Sequence, residues 1–244
     1  MTTDKDYTED TVFNGRVRCL QHRRGYRFSV DAVLLANFIQ PRRGDNILDL
    51  GCGCGIIPLI LAYRNQSVSI TGLEIQPDLA GLARKNVMLN SRQERIFIVQ
   101  GDLREIEKYA LPGSFDWVIS NPPYRKPGTG RINPGNEQAQ ARHEQTADLA
   151  AVTRAANWSA KKGGRIAFIY PASRGAAVIS ELRNSGLEPK KMLSIFSYPD
   201  SPASLVIIEA VKQGGEELII LPPFYIYQER EGKYSPEMER YYAP

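Results

Sequence analysis

Cysteine and histidine are scarce in this chain, which contains three cysteines and two histidines among its 244 residues. Cys19, Cys52 and Cys54 are too few to form the disulfide framework that holds many small secreted domains together. With only two histidines, the chain also offers little material for a zinc site. We therefore expect a protein without a bound metal that works in the reducing cytoplasm.

Long apolar runs are also missing. No stretch approaches the ~20 apolar residues that a membrane-spanning helix needs. The chain begins M-T-T-D-K-D-Y-T-E-D, which is polar and acidic rather than signal-like. Apolar residues nevertheless make up 42% of the chain, which is enough for a sizeable core. The sequence thus predicts one large domain, or a domain with an appendage, and no contact with a membrane.

The chain contains no G-x-x-x-x-G-K-[ST] motif, which excludes a P-loop nucleotide site. Its glycines are concentrated instead in N-I-L-D-L-G-C-G-C-G, from Asn46 to Gly55. The apolar run before these glycines predicts a buried strand, and the apolar segment from Ile56 to Tyr63 predicts a helix. Glycines in a turn from strand to helix let a ligand approach the backbone closely. The spacing differs from the G-x-G-x-x-G of dinucleotide sites, and a turn without any ligand is the alternative.

Two further predicted strands end close to acidic residues. The run from Val68 to Leu73 leads into Glu74, which lies where a carboxylate can accept hydrogen bonds from ribose hydroxyls. The run from Ile96 to Val99 is followed by Asp102, which could simply cap the next turn. Strands alternate with helices along the chain, so we expect a parallel α/β sheet that binds its ligand beyond the carboxyl ends of the strands. These features favour a cofactor that contains a nucleoside.

A fourth predicted strand, from Phe115 to Ile119, runs into S-N-P-P-Y. The two prolines hold the backbone extended, so the side-chain oxygen of Asn121 and the carbonyl of Pro122 can accept both hydrogens of one planar NH2 group. Tyr124 offers a ring for stacking. Two acceptors increase the electron density on an amine nitrogen whose lone pair is delocalised into an aromatic ring. Catalysis would then be mostly placement and electrostatics, and a rigid turn without a ligand is the alternative.

The net charge of +4 is mild, and its distribution is more informative. Basic residues crowd one segment near the start of the chain and another after N-P-P-Y. A basic cluster is often only a solvated surface, but two clusters beside one predicted pocket make polynucleotide binding an equal alternative. The clusters are Arg16, Arg18, His22, Arg23, Arg24 and Arg27, and then Arg125, Lys126, Arg131 and Arg142.

Taken in order, the motifs resemble those of class I S-adenosylmethionine-dependent methyltransferases that act on planar nitrogens. Within this class, the chain is most similar to the bacterial tRNA(Val) adenine N6-methyltransferase family, and the resemblance covers nearly its whole length. It implies a doubly wound α/β fold with a mostly parallel, seven-stranded, Rossmann-like sheet and an added antiparallel strand at the end of that sheet. The stretches that carry it are G-Y-R-F-S-V-D-A-V-L-L-A, D-L-G-C-G-C-G, L-E-I-Q, S-N-P-P-Y, A-R-H-E-Q-T and G-K-Y-S-P-E-M.

The resemblance implies S-adenosylmethionine as the cofactor, S-adenosylhomocysteine as the product, and residues for each role. Phe28 and Asp31 would close over the cofactor from the N-terminal side, and Asp102 would lie near its adenine. The target amine would be held by Asn121, Pro122, Pro123 and Tyr124. The cofactor would be bound by Phe28, Asp31, Asp49, Gly51, Gly53, Gly55, Glu74, Ile75, Asp102, Leu103 and Asn121.

We therefore expect methyl transfer to an exocyclic amine, adenine N6 of a tRNA. Two other substrates go with N-P-P-Y or a related motif: the glutamine amide of peptide release factors and guanine N2 of ribosomal RNA. Release-factor enzymes usually carry an N-terminal helical domain, and only about forty-five residues precede the first central strand here. The non-enzymatic alternative is a cofactor-binding RNA-interaction module that has lost transfer.

We divide the chain into an N-terminal extension that packs on the cofactor site (1–40), a methyltransferase domain (41–212) and a C-terminal extension (213–244). Residues 1–12 are expected to be disordered or loosely attached. The basic loop 125–143, rich in glycine and proline, is expected to be mobile and to order over a flipped target base. In the C-terminal extension we expect a short strand at 218–221, a hairpin around 225–227 and a polar end.

Overall fold

The computed structural model describes residues 7–23, 27–122 and 149–244. Short 3-10 helices at Leu103–Lys108 and Ala172–Arg174 supplement the regular elements. The helices are α1 (Val30–Phe38), α2 (Ile56–Arg64), α3 (Pro77–Leu89), α4 (Leu149–Ser159), α5 (Gly175–Asn184) and α6 (Pro236–Tyr242). The strands are β1 (Tyr7–Val12), β2 (Val17–His22), β3 (Asn46–Leu50), β4 (Ser69–Glu74), β5 (Ile96–Gln100), β6 (Phe115–Ser120), β7 (Ala160–Pro171), β8 (Leu187–Phe196), β9 (Ala203–Lys212), β10 (Ile219–Ile220) and β11 (Phe224–Tyr225).

Within the described residues, the main sheet has nine strands, and its body runs in the order β8-β9-β7-β6-β3-β4-β5. β3, β4, β5, β6 and β7 pair in parallel. β9 is antiparallel to both of its neighbours, β7 and β8. The added antiparallel strand therefore lies between β7 and β8 rather than at the end of the sheet. The two-residue strands β10 and β11 both pair with β8 and extend that edge. The predicted mostly parallel, doubly wound α/β fold is confirmed.

Consecutive residues of β3 face opposite sides of the sheet and enter separate cores. Ile47 packs in a cluster with α1, α2, α3 and α6, whereas Leu48 packs in a cluster with α4 and α5. Both side chains are at most 1% exposed, which explains why this strand is apolar on both faces.

The helix α2 is buried on nearly all sides, and its Pro58 lies in the first turn, where the missing N–H breaks no hydrogen bond.

The N-terminal extension is more ordered than we expected. Residues Tyr7–Val12 form β1, which pairs with β2 in an antiparallel hairpin, so the expectation of loose attachment is wrong for this segment. Phe13, Asn14 and Gly15 have positive φ angles in the connecting turn, and Phe13 is 1% exposed. An Asn-Gly pair between two strands is a strong sequence signal for a hairpin. We expected disorder instead because the composition of this segment is polar. Residues 1–6 lie outside the described part of the chain.

The C-terminal extension also differs from the expectation. The strand β10 covers the middle of the predicted 218–221, but β11 pairs in parallel with β8, and the nearby antiparallel contact is a single bridge between Tyr227 and Tyr234. The polar end forms α6, because Ser235 accepts a hydrogen bond from Met238 N at 3.0 Å and Pro236 occupies the first turn. None of the helices in the described segments is long and apolar enough to cross a membrane.

Candidate active site

The carboxyl ends of β6, β3, β4 and β5 lie side by side, and most of the predicted site residues are at or directly after these ends. Leu50 pairs with Leu73, and Glu74 pairs with Gln100. The chain leaves β3 towards β4 and later returns to pair β6 against the other side of β3. Doubly wound sheets bind their ligands at such a reversal of strand order.

The glycine turn, residues 51–55, is folded tightly against the end of β4. The backbone N–H groups of Gly51 and Cys52 both donate to the carbonyl of Leu73, at 2.8 and 3.1 Å. Gly51 has φ +77, and no heavy atom of the described residues beyond its chain neighbours lies within 4 Å of the position that a Cβ would take there. Gly55 has φ +84, and a Cβ there would come within 3.2 Å of Ala83 Cβ. Gly55 therefore lets α3 pack against the turn, whereas Gly51 leaves its backbone open to a ligand.

Glu74 lies at the end of β4, as predicted, and is 5% exposed. Its Oε2 accepts from Gly53 N at 2.8 Å, and its Oε1 accepts from Gln76 N at 2.9 Å. Burial raises the pKa of the carboxyl group, and these backbone hydrogen bonds oppose that rise. Each oxygen has two lone pairs, so both retain capacity for a further donor. Glu74 thus fixes the turn, and its contact with ribose hydroxyls stays a prediction.

Asp49 lies in β3, one residue before its end, and is fully buried. Among the described residues, neither of its carboxylate oxygens has a hydrogen-bond partner. Burial, together with the negative charge of Glu74, raises the pKa of Asp49 to about 8. A buried carboxyl group without a partner is costly, which suits a site that receives a cation or a donor from a ligand. S-adenosylmethionine carries an ammonium group and a sulfonium, so the acceptor oxygens of Asp49 fit it.

Asp102 follows β5 and caps the next turn, which is one of the two roles that the sequence left open; its predicted place near the cofactor adenine stays a prediction. Its side chain accepts from Arg104 N at 2.9 Å and forms an ion pair with the Arg104 guanidinium, so it caps the 3-10 helix that begins at Leu103. The hydrogen bonds from Arg104 lower the pKa of Asp102. Leu103 packs on the α4–α5 side of the sheet, and Ile75 is half-buried at the start of the loop after β4. Their contacts with a cofactor stay predictions.

Asn121 follows β6 directly and is half-buried, and Pro122 is buried. The hydroxyl group of Ser120 donates to the carbonyl of Leu50 at 2.7 Å, which ties the end of β6 to the end of β3. This bond brings the start of N-P-P-Y next to the glycine turn. Pro123, Tyr124 and the loop 125–143 lie outside the described residues, so the stacking role and the predicted loop closure are not tested.

Of the remaining two predicted cofactor residues, Phe28 lies in the link from β2 to α1 and Asp31 lies in α1. Phe28 donates its backbone N–H to Gln21 Oε1 at 2.7 Å, and its ring packs on the core that contains Cys54. Asp31 is half-buried in the first turn of α1, where a carboxylate is favoured by the helix dipole. Their predicted closure over the cofactor therefore stays a prediction.

Two arginines of the N-terminal basic cluster are paired with carboxylates of β1. Arg18 binds Glu9 through two hydrogen bonds of 2.6 and 2.8 Å. Arg27 forms an ion pair with Asp10 at 2.6 Å. Arg23 is exposed, and Arg24 lies outside the described residues. The net positive field of this segment is weaker than the count of its arginines indicates.

Sequence reasoning missed Asn86, a fully buried residue of α3 whose side chain links the hairpin to the glycine turn. It also missed the close approach of Cys19 in β2 to Cys54 in the turn, whose sulfur atoms lie 3.7 Å apart. The available signal was a polar residue within the apolar stripe of α3, one position before Val87. A buried polar side chain in such a stripe indicates a hydrogen-bonding role.

Comparison with known proteins agrees with this geometry. The chain matches the family model of the methyltransferase small domain over residues 28–168. It is similar to proteins named tRNA1(Val) (adenine(37)-N6)-methyltransferase from Yersinia pestis (strain Pestoides F) and Yersinia pseudotuberculosis (serotype O:1b). Each is 28% identical to it over 216 residues, which cover 88% of this chain and 85% of the relative.

Two solved structures show the same fold. A predicted O-methyltransferase from Agrobacterium tumefaciens has a TM-score of 0.72 and 21% identity, covering 86% of this chain and 94% of that chain. Geranyl diphosphate C-methyltransferase from Streptomyces coelicolor A3(2), solved with S-adenosyl-L-homocysteine, has a TM-score of 0.53 and 13% identity. The latter match covers 75% of this chain and 78% of that chain. At these identities, the likeness concerns the fold alone.

Proposed function

The chain belongs to the methyltransferase small domain family, and from that premise we propose that it methylates the exocyclic N6 amine of an adenine in tRNA. The observation that carries the proposal is the adjacency of two groups at one edge of the sheet. Asp49 offers a buried carboxyl group next to the glycine turn that has no hydrogen-bond partner among the described residues, and Ser120 ties Asn121 to the same place through Leu50. A cationic donor and a planar amine can therefore be held side by side.

The class to which this fold belongs uses S-adenosylmethionine, which supplies an electrophilic methyl group on a positively charged sulfur. Asp49 would hold positive charge, and the remaining lone pairs of Glu74 would accept from ribose hydroxyls. Gly51 would let the ligand lie against the backbone, since the space beside it is open. Phe28, Asp31, Ile75, Asp102 and Leu103 complete the proposed rim.

Asn121 and Pro122 would bind the amine through two carbonyl oxygens that accept its two hydrogens. These acceptors orient the nitrogen lone pair towards the methyl group and stabilise the positive charge that develops on nitrogen. Tyr124 would stack on the base. The contribution of these residues is placement and electrostatics, and it needs no strong general base.

Two observations support tRNA as the substrate. The relatives that cover most of this chain are named for a tRNA adenine, and basic residues such as Arg23 remain exposed on the hairpin next to the glycine turn. A tRNA substrate would also place the protein in the cytoplasm, as we expected from the sequence.

The test is methyl transfer from labelled S-adenosylmethionine to unmodified tRNA, ribosomal RNA and release factor in parallel. We expect label in tRNA, recovered as N6-methyladenosine after digestion to nucleosides. Asn121→Ala should lower single-turnover transfer by about 100-fold or more, the scale for losing a group that stabilises the transition state. Its affinity for the cofactor should be nearly unchanged. Label in the release factor, or as N2-methylguanosine, would contradict the proposed substrate.

A further inference from the structure

Asn86 lies in α3 and is fully buried, and both ends of its carboxamide are engaged. Its Oδ1 accepts from Leu20 N at 2.7 Å, and its Nδ2 donates to Leu20 O at 3.0 Å. The same Nδ2 donates to the carbonyl of Cys54 at 2.9 Å and lies 3.5 Å from Cys19 Sγ. One side chain therefore pairs with the outer edge of β2 and holds the glycine turn at the same time.

The hydrogen bond from Asn86 to the Cys54 carbonyl fixes the orientation of the Cys54–Gly55 peptide in the glycine turn. The C=O of Cys54 and the N–H of Gly55 belong to one planar unit and point in opposite directions. Anchoring the carbonyl on Asn86 therefore directs the N–H of Gly55 towards the carbonyl of Cys52, to which it donates at 2.9 Å. Gly55 precedes α2 with φ +84, so rotation of this peptide would disturb the start of the helix as well.

The other half of the turn is fixed independently, because Gly53 N donates to Glu74 Oε2 at 2.8 Å. Glu74, from β4, and Asn86, from α3, thus hold two different peptides of the turn, Cys52–Gly53 and Cys54–Gly55. We propose that Asn86 is a positioning residue that shapes the glycine turn for the cofactor, and that through it the β1–β2 hairpin is coupled to cofactor binding. This inference rests on the proposed cofactor, and it adds a role for a residue that touches no substrate.

The chain contains a matched control one helical turn later. Asn90 accepts from Arg18 N at 2.9 Å and donates to Arg18 O at 2.7 Å, so it holds the same edge of β2 in the same manner. Its remaining hydrogen bond goes to the backbone carbonyl of Asn86 rather than to the glycine turn. Replacing either asparagine by alanine removes contacts with β2, but only Asn86→Ala releases Cys54.

The first experiment compares Asn86→Ala with Asn90→Ala. Urea unfolding should show that both variants lose stability, and calorimetric titration should separate them. We expect the dissociation constant for S-adenosylmethionine to rise about tenfold in Asn86→Ala, as for the loss of one hydrogen bond of ordinary net strength. In Asn90→Ala it should change by less than about twofold. Equal dissociation constants in the two folded variants would overturn the positioning role.

The second experiment uses the wild-type protein, so it does not depend on whether Asn86→Ala folds. Coupling between two sites is reciprocal, so cofactor binding must stabilise the contacts between Asn86 and β2. Titration with S-adenosylhomocysteine should slow hydrogen exchange of the Leu20 amide, which donates to Asn86, by a larger factor than that of the Arg18 amide, which donates to Asn90. Equal slowing of the two amides, or none, would overturn the coupling.

The two failures are distinguishable. If the wild-type protein binds neither S-adenosylmethionine nor S-adenosylhomocysteine, the proposed function fails together with this inference. If the wild-type protein binds them and the Asn86 variant binds equally well, the cofactor assignment stands and only the role of Asn86 is wrong.

Discussion

Asp49 links stability to pH in a direction opposite to that of an ordinary carboxylate. Its pKa rises from 3.8 to about 8 on folding, so between these values the folded protein holds a proton that the unfolded chain has released. The stability that this protonated group contributes is complete below about pH 4 and is lost as the pH rises through about 8. Glu74, whose pKa burial also raises, acts in the same direction.

We predict that Asp49→Asn reduces the loss of folding stability at high pH and lowers the affinity for the cofactor. The amide has no proton to lose, so the variant should be more stable than the wild type at about pH 9, by about 1–3 kcal/mol, the scale for a buried polar group without its partner. Urea unfolding from about pH 5 to about pH 9 measures the slope. Affinity for S-adenosylmethionine should fall, because Asp49 can release its proton when a cation binds and then offer a negative charge, whereas the amide cannot. Parallel pH profiles in the two proteins would show that Asp49 does not titrate as described.

Glu74 has two tasks that a pair of substitutions can separate. Glu74→Ala removes the acceptors of Gly53 N and Gln76 N together with the proposed ribose contacts, and we expect cofactor affinity to fall by about 1.5–3 kcal/mol. Glu74→Gln keeps one acceptor oxygen and should lose less. Calorimetric titration gives both values, and urea unfolding verifies folding. Unchanged cofactor affinity in a folded Glu74→Ala protein would show that Glu74 does not contribute to cofactor binding.

At the scale of single elements, the chain segment directly after β2 offers a test of RNA binding. Replacing Arg23 and Arg24 by alanine should reduce the slope of log K against log salt by about one to two units, since each phosphate contact contributes about 0.7–0.9. Arg18→Ala is the control, because its charge is already paired with Glu9. Filter binding to tRNA at several salt concentrations gives the slopes. Identical slopes for the wild type and the double variant would show that these arginines do not contact phosphates. A protein substrate would then again be an alternative to tRNA.

The elements that could be predicted are those whose pattern is dictated by burial. The strand β3 is apolar on both faces because it packs between two cores, and the helix α2 is apolar because neighbours cover it on nearly all sides. The hairpin and α6 were missed because their sequences are polar, and their order depends on short local signals. These signals are Asn14-Gly15 in the turn and Ser235-Pro236 at the helix start.

At the scale of the whole molecule, the edge that carries the site was predictable, because every parallel strand delivers its carboxyl end there. The partners of individual side chains were not. No feature of the sequence shows whether the carboxylate of Asp102 is free or pairs with Arg104 two residues later, as it does in the structure. Likewise, the contact of Asn86 with Leu20 spans 66 positions, and no local pattern specifies which buried backbone group a distant amide will reach.

The C-terminal residues 213–244, which we predict to be an extension of the methyltransferase domain, make several contacts with the rest of the chain. Met238 of α6 is fully buried in the same cluster as Ile47 and Ile60. Arg64 of α2 donates to the backbone carbonyl of Tyr241 at 3.1 Å. The ring of Tyr241 stacks on Phe224, with 5.1 Å between centroids. This segment therefore closes one face of the central core.

We predict that Met238→Ala lowers the free energy of unfolding by about 2–5 kcal/mol, as for other buried methionines cut to alanine. Glu239→Ala is the matched control, because the neighbouring side chain is exposed on the same helix and should change stability by less than about 0.5 kcal/mol. Removing 213–244 should destabilise the protein at least as much as Met238→Ala, because it also uncovers the β8 edge. Urea unfolding measures all three proteins. A truncated chain as stable as the full one would show that the extension is a separate appendage, and that burial of Met238 contributes nothing to the domain it covers.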